Sequence, residues 1–173
     1  NATVELAELV LDLVALSDVS VGTTVSPTVA SSGTTRNTVP DRAVLYVDVR
    51  AWTSSELERV DSAIRTRMPA VDGVTIEVSG GVNRGPMQPG QADELVRLAR
   101  QAASDVGMGE VGAVAVGGAS DGNLTAALGI PTLDGLGADG GGAHSDHEWV
   151  DVASLVQRAR WVARVIDLIT APR

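Results

Sequence analysis

Cysteine, phenylalanine and lysine do not occur in these 173 residues, and one Tyr and three Trp supply all the aromatic rings. Each absence excludes something. Without Cys there is no disulfide, no thiolate nucleophile and no thiolate zinc site, and the redox compartment stays open; cytoplasmic placement is the expectation, with secretion as the alternative. With so few aromatics, any core must be packed from Val, Leu, Ile and Ala, which suits close-packed α/β layers. The positive charge rests on arginine alone: 13 basic residues face 22 acidic ones, for a net charge of -9. No basic patch can neutralise a phosphate backbone, so nucleic acid is not an expected partner. No apolar run approaches the roughly 20 residues needed to cross a bilayer, and the start of the chain shows no basic region followed by an apolar one. No membrane partner is expected.

What is present is a chain with 44% hydrophobic residues, enough for a real core. Leu6, Leu9, Val10, Leu13, Val14 and Leu16 fall at helical spacing with Glu5, Glu8 and Asp12 between them, which predicts an amphipathic helix over the first 17 residues or so. Val19 to Ser32 and Ala43 to Trp52 read as strands, the second with Leu45, Val47 and Val49 alternating against Tyr46, Asp48 and Arg50. Thr53 and Glu56 make a capping box before Leu57, Val60, Ile64 and Met68, and Val74, Ile76 and Val78 predict a third strand. Helix, strand, strand, helix, strand is most of a ferredoxin-like split βαβ sandwich with its first strand missing. Residues 1–84 are therefore expected to form one α+β domain.

A linker of Gly, Asn, Pro and Gln follows, and residues 85–173 show a different pattern. Ala92, Leu95, Val96, Ala99 and Ala103 mark a helix, Val111 to Val116 a buried strand, Ser120-Asp121 the start of a short helix, and Ile130 to Leu133 a short strand. Val152, Leu155, Val156, Ala159, Ala163 and Ile166 mark a last helix. Two strands cannot make an α/β core, so this half is expected to be a partial α/β domain.

Chemistry-bearing residues are few. His144 and His147, the only histidines, lie in the glycine-rich "GGGAHSDHE" beside Asp146 and Glu148; a metal ligand and a solvated loop histidine are both open readings of His144, while His147 reads as a surface residue. In "GGASDGN", Gly117 to Asn123, glycines before a helix start could present backbone N–H groups to a carboxylate or oxyanion, or could simply form a tight turn capped by Ser120. Arg50 shares a strand face with Asp48, and Arg84 sits in the linker as "VNRGPM".

Together these pieces resemble the zinc metallopeptidase family of glutamate carboxypeptidases, aminoacylases, acetylornithine deacetylases and succinyl-diaminopimelate desuccinylases. "GGASDGNLTAALGIPTLDGLGADGGGAHSDHEWV" is similar to that family's C-terminal signature, "NATVELAELV" to the start of its lid domain, "GTTRNTVPDRAVLYVDVR" to the lid's Asn and Arg segment, and "NRGPM" to the hinge return. The resemblance implies a lid, or dimerisation, domain at 1–84 followed by the C-terminal part of a catalytic domain at 85–173. It implies His144 as a terminal ligand of one of two zinc ions, Asn37 as oxyanion stabiliser, and Arg50 and Arg84 as binders of a substrate carboxylate. The backbone of Gly118, Ala119 and Ser120 would line the same pocket, with Ala119 standing where some relatives carry a hydroxyl. The family's "H-x-D-x-V-P", "D-x-K-G" and "E-E" motifs do not occur in this sequence, so the resemblance implies a fragment of an amidohydrolase acting on N-acyl amino acids or small peptides with a free carboxylate. The chain alone is then expected to bind no catalytic zinc and to be inactive. The alternative is a non-catalytic dimerisation or binding module. Either way a homodimer through the lid is expected, with Asn37 and Arg50 facing a common pocket.

Overall fold

A computed structural model describes residues 1–171. It divides into two compact units, Asn1–Gln88 and Pro89–Arg173, so the boundary falls at Gln88 rather than at residue 84.

In the first unit, helix α1 spans Ala2–Val14, started by the Asn1 side chain, which accepts from the Thr3 N–H at 3.1 Å. Strands β1 (Thr24–Ser32) and β2 (Ala43–Arg50) pair antiparallel from Thr24 opposite Arg50 to Ser32 opposite Ala43, with an irregularity between Pro27 and Val29. Pro27 has no N–H to give the ladder, which accounts for the slip there. The strand expected from Val19 starts later. Asp18 accepts from the Ser20 N–H at 3.0 Å and from its hydroxyl at 2.6 Å, and this local capping turns Val19–Val21 into a 3₁₀ turn instead.

Leu45, Val47 and Val49 turn one face of the hairpin onto Leu13 of α1, onto Leu16 just beyond it, and onto Val60 and Ile64 of helix α2 (Ser54–Thr66). Both helices therefore cover the same face, while Tyr46 and Arg50 point to solvent. Thr53 caps α2 by accepting from the Glu56 N–H at 3.4 Å, but the reciprocal half of the capping box is not the one Glu56 makes. Its carboxylate accepts instead from the Thr23 hydroxyl at 2.7 Å and from Arg59 at 2.8 Å, tying α2 to the entry of β1. Glu5, 3% exposed, accepts from the N–H groups of Ala70 and Val71 at 2.9 and 2.8 Å and pins the chain beyond α2 to α1.

The third expected strand is a correction. Val74, Ile76 and Val78 are half-buried and Thr75 and Glu77 exposed, yet the segment joins no ladder among the described residues. Alternation reports which side chains turn inward; it does not by itself set the hydrogen-bond register that a ladder needs.

The second unit is built on helices α3 (Asp93–Asp105) and α5 (Val152–Thr170), with the short α4 (Gly122–Ala127) and a two-residue pairing of β3 (Gly140–Gly141) with β4 (Trp149–Val150). Ala99, Ala102 and Ala103 of α3 pack against Trp161 and Val165 of α5, and the Trp161 indole N–H donates to the Ala99 carbonyl at 2.8 Å. Two expectations fail here. Val111 to Val116 and Ile130 to Leu133 form no strands, and Val114 and Val116 are 83% and 69% exposed. A fully buried strand needs partners on both sides, and two short segments cannot supply them to each other. The last helix is present as α5, with Val152, Leu155, Val156 and Ile166 exposed and Ser154, Trp161 and Val165 on its buried side. Among the described residues no helix is long and apolar enough to cross a membrane.

Candidate functional site

Unit by unit, the sequence-predicted residues fall into three places. Asn37 is exposed in the loop joining β1 to β2, where a cleft of 360 Å³ is lined by Thr34, Thr35, Thr38, Asp41 and Arg42 among others. Arg50 is the last residue of β2, opposite Thr24. Seven residue steps separate it from Ala43 at the loop end, about 23 Å at ~3.3 Å per residue. The loop with Asn37 and the end of β2 with Arg50 thus lie at opposite ends of one hairpin.

The Arg50 guanidinium lies against Asp48, with Nε donating at 2.8 Å and Nη2 at 3.4 Å to the two carboxylate oxygens. The hydrogen bond and the charge of Asp48 both raise the guanidinium's affinity for its proton. Any anion that Arg50 receives must share it with Asp48 or displace it. Arg84 is exposed in the segment that leads out of this unit.

In the second unit, Gly118 and Ala119 are exposed and Ser120 half-buried. The turn is held by side chains: the Ser120 N–H donates to Asn123 Oδ1 at 2.9 Å, and Ser120 Oγ accepts from the Gly122 N–H at 3.1 Å. The Ser120 hydroxyl, followed by the Gly135 N–H, holds the Asp134 carboxyl below the usual carboxylate range. Asn123 and Asp134 thus fix the turn whose backbone the sequence singled out. Asn123 could have been found from its place three residues after Ser120; Asp134 carries no local signal.

His144 occupies the third place, the tip of the β3–β4 hairpin, with φ at +66°, the sole non-glycine residue among those described with positive φ. The loop around it is closed by short-range bonds: the Ser145 N–H and hydroxyl both donate to the Gly142 carbonyl at 2.9 and 2.7 Å, and the Glu148 N–H donates to the Ser145 carbonyl at 3.1 Å. A side chain at Gly140 would stand 2.5 Å from the Trp149 carbonyl oxygen, and one at Gly142 2.9 Å from that of His147, so glycine is required at both. His144, Asp146, His147 and Glu148 are all exposed. No group of three His, Asp or Glu side chains among the described residues stands close enough to hold a metal ion.

Residues 6–168 match the description of peptidase family M20/M25/M40. Among curated proteins, the chain is 30% identical over 177 residues to carboxypeptidase G2 of Pseudomonas sp. (strain RS-16), an alignment covering 96% of this chain and 41% of that protein. The chain thus spans less than half the length of that relative.

Proposed function

The chain belongs to peptidase family M20/M25/M40, and on that premise we propose that it works as part of a zinc-dependent, glutamate carboxypeptidase-like amidohydrolase. Its substrates would be N-acyl amino acids or small peptides with a free carboxylate. The observation that carries the reading is the family match across 6–168, which includes both the Gly118–Ser120 turn and the His144 loop. The family's metal is zinc, and His144 offers one exposed imidazole on a loop tip where it can meet donors from outside these residues. Arg50 and Arg84 bind the substrate carboxylate by charge-assisted contacts, the Gly118–Ser120 backbone lines the pocket, and the Asn37 amide donates to the developing oxyanion.

We also propose that the first unit is a ferredoxin-like lid that pairs with a second copy. Its two-stranded sheet leaves strand edges open, and an isologous antiparallel pairing along one edge would set the loop tip of one copy, with Asn37, beside the strand end of the other, with Arg50. That arrangement offers both residues to one substrate where a single hairpin cannot. The open strand edges equally suit a second reading, a non-catalytic dimerisation module.

One experiment separates the two. Native protein is isolated, its intact mass compared with 17.7 kDa, and the same material loaded with zinc and assayed on N-acyl glutamates. A mass well above this value with carboxylate-dependent amide cleavage supports the enzyme. A 17.7 kDa dimer that cleaves none of them supports the module.

A further inference from the structure

The His144 loop has almost no packing of its own. Every residue from Ala143 to Val150 is exposed, and its ladder is two residues long. A hairpin that short does not hold itself in water. What holds it is Asp139, the residue before β3, which is gripped at three points. Its N–H donates to Ser154 Oγ at 2.8 Å, its carbonyl accepts from the Asp151 N–H at 2.7 Å, and its carboxylate takes the Arg158 guanidinium. All three partners belong to the first two turns of α5 and its cap: Asp151 caps the helix by accepting from the Ala153 N–H at 2.9 Å, and Ser154, buried, donates back to the Asp151 carbonyl at 2.7 Å.

Arg158 is itself fixed. Its guanidinium carbon stands 5.2 Å from the ring centre of Trp161, which is buried against α3, and its Nε is buried without a hydrogen-bond partner. An ion pair on a mobile stem would be worth little; one whose cation rests on a core tryptophan cannot swing away without giving up that contact.

We propose that Arg158 is a positioning residue: it transmits the fixed geometry of the α3–α5 core, through Asp139, to the loop that carries His144. The purpose assigned to the loop rests on the enzyme reading above, while the mechanical claim does not. Hydrogen exchange on the 173-residue chain tests it. Arg158→Met keeps the stem over Trp161 and removes the charge, and Asp139→Asn removes it from the other side. Each should raise exchange at the Ser145, Glu148 and Asp151 amides by about fivefold, with the double variant no worse than either single one, and leave the α3 amides unchanged. Arg158→Lys should recover part of the protection. Unchanged loop exchange in both single variants overturns the proposal, as does an equal rise across α3, which would make Arg158 a general stabiliser. Failure of the enzyme reading shows elsewhere, as zinc affinity of the native protein that does not respond to His144→Ala.

Discussion

Replacing His144 should show whether the tip of the loop is kept for its structure or for its side chain. An L-residue in the left-handed region costs roughly 1–2 kcal/mol, and His144 sits there at φ +66°. Its imidazole is exposed and makes no hydrogen bond to another described residue, so nothing local offsets that cost. His144→Gly removes the backbone conflict but gives the unfolded chain extra freedom worth roughly 0.5–1 kcal/mol. The net expectation is a gain of about 0.5 kcal/mol. His144→Ala keeps the conflict and should be neutral within about 0.5 kcal/mol, whereas His144→Val adds a β-branch where it fits worst and should lose about 1–2 kcal/mol. Urea unfolding of the 173-residue chain, followed by helical circular dichroism and by the fluorescence of Trp149 and Trp161, reads these differences. The order Gly, then His and Ala together, then Val is the test. A Gly variant destabilised by 1 kcal/mol or more would mean that the imidazole makes a stabilising contact, and a neutral Val variant would mean that the residue is not left-handed. Either result would remove the argument that a strained histidine is retained here for what it binds.

Other expectations are quicker to state. In the native enzyme Arg50→Ala should raise KM for substrates with a free carboxylate by about tenfold or more, and Asn37→Ala should lower kcat with a smaller effect on KM; unchanged kinetics in both would cancel the roles proposed for them. Zinc titrated into the purified 173-residue chain should bind weakly and give no amidase activity, because among the described residues no three donors converge; tight binding of two ions with turnover would show that a site assembles from residues that stand apart here. Glu56 is held below the ordinary glutamate range first by its hydrogen bond from Arg59 and then by that from Thr23. A folded-state value below the unfolded one means that its contribution is present above the usual glutamate range and lost as pH falls through the depressed value. Thermal melts should therefore lose stability below about pH 4, and Thr23→Val should shrink that acid-side loss; an unchanged acid limb would show that the bond does not form.

The first unit was the more legible half because its signals are local. Thr53 caps the helix it precedes, and Leu45, Val47 and Val49 bury on one side of β2 as their period of two requires. What could not be seen was the use of side chains over long range. Glu56 fits the capping-box pattern, but its carboxylate is spent on Thr23, 33 residues away, and no spacing rule reaches that far. The site shows the same division. The glycines around His144 and the Ser120 turn could be read in order along the chain, whereas Asp139 gave no sign of its grip on α5, because its partners Ser154 and Arg158 lie beyond the loop it anchors.

Helix α5 shows how a pattern can mark a helix without saying which of its faces is covered. Val152, Leu155, Val156, Ala159, Ala163 and Ile166 do form an apolar stripe at helical spacing, but Trp161, Val165 and Leu168 form a second one on another side, and only that side meets α3. A helix apolar on two sides is the signature of one buried between two layers. The same holds for Val114 and Val116, whose run reads as the centre of a sheet and stands in solvent. These exposed apolar groups lie in the unit where the expected strands found no partners, and the chain aligns with only 41% of carboxypeptidase G2. Burial is a property of whatever faces a residue, so a sequence records the need for a partner surface even where the 173 residues do not provide it. If so, Val156→Glu should leave the urea midpoint of this chain unchanged, since the side chain already stands in water, and should destabilise a longer native protein in which that face is covered. Equal effects in both would mean that the stripe has no partner.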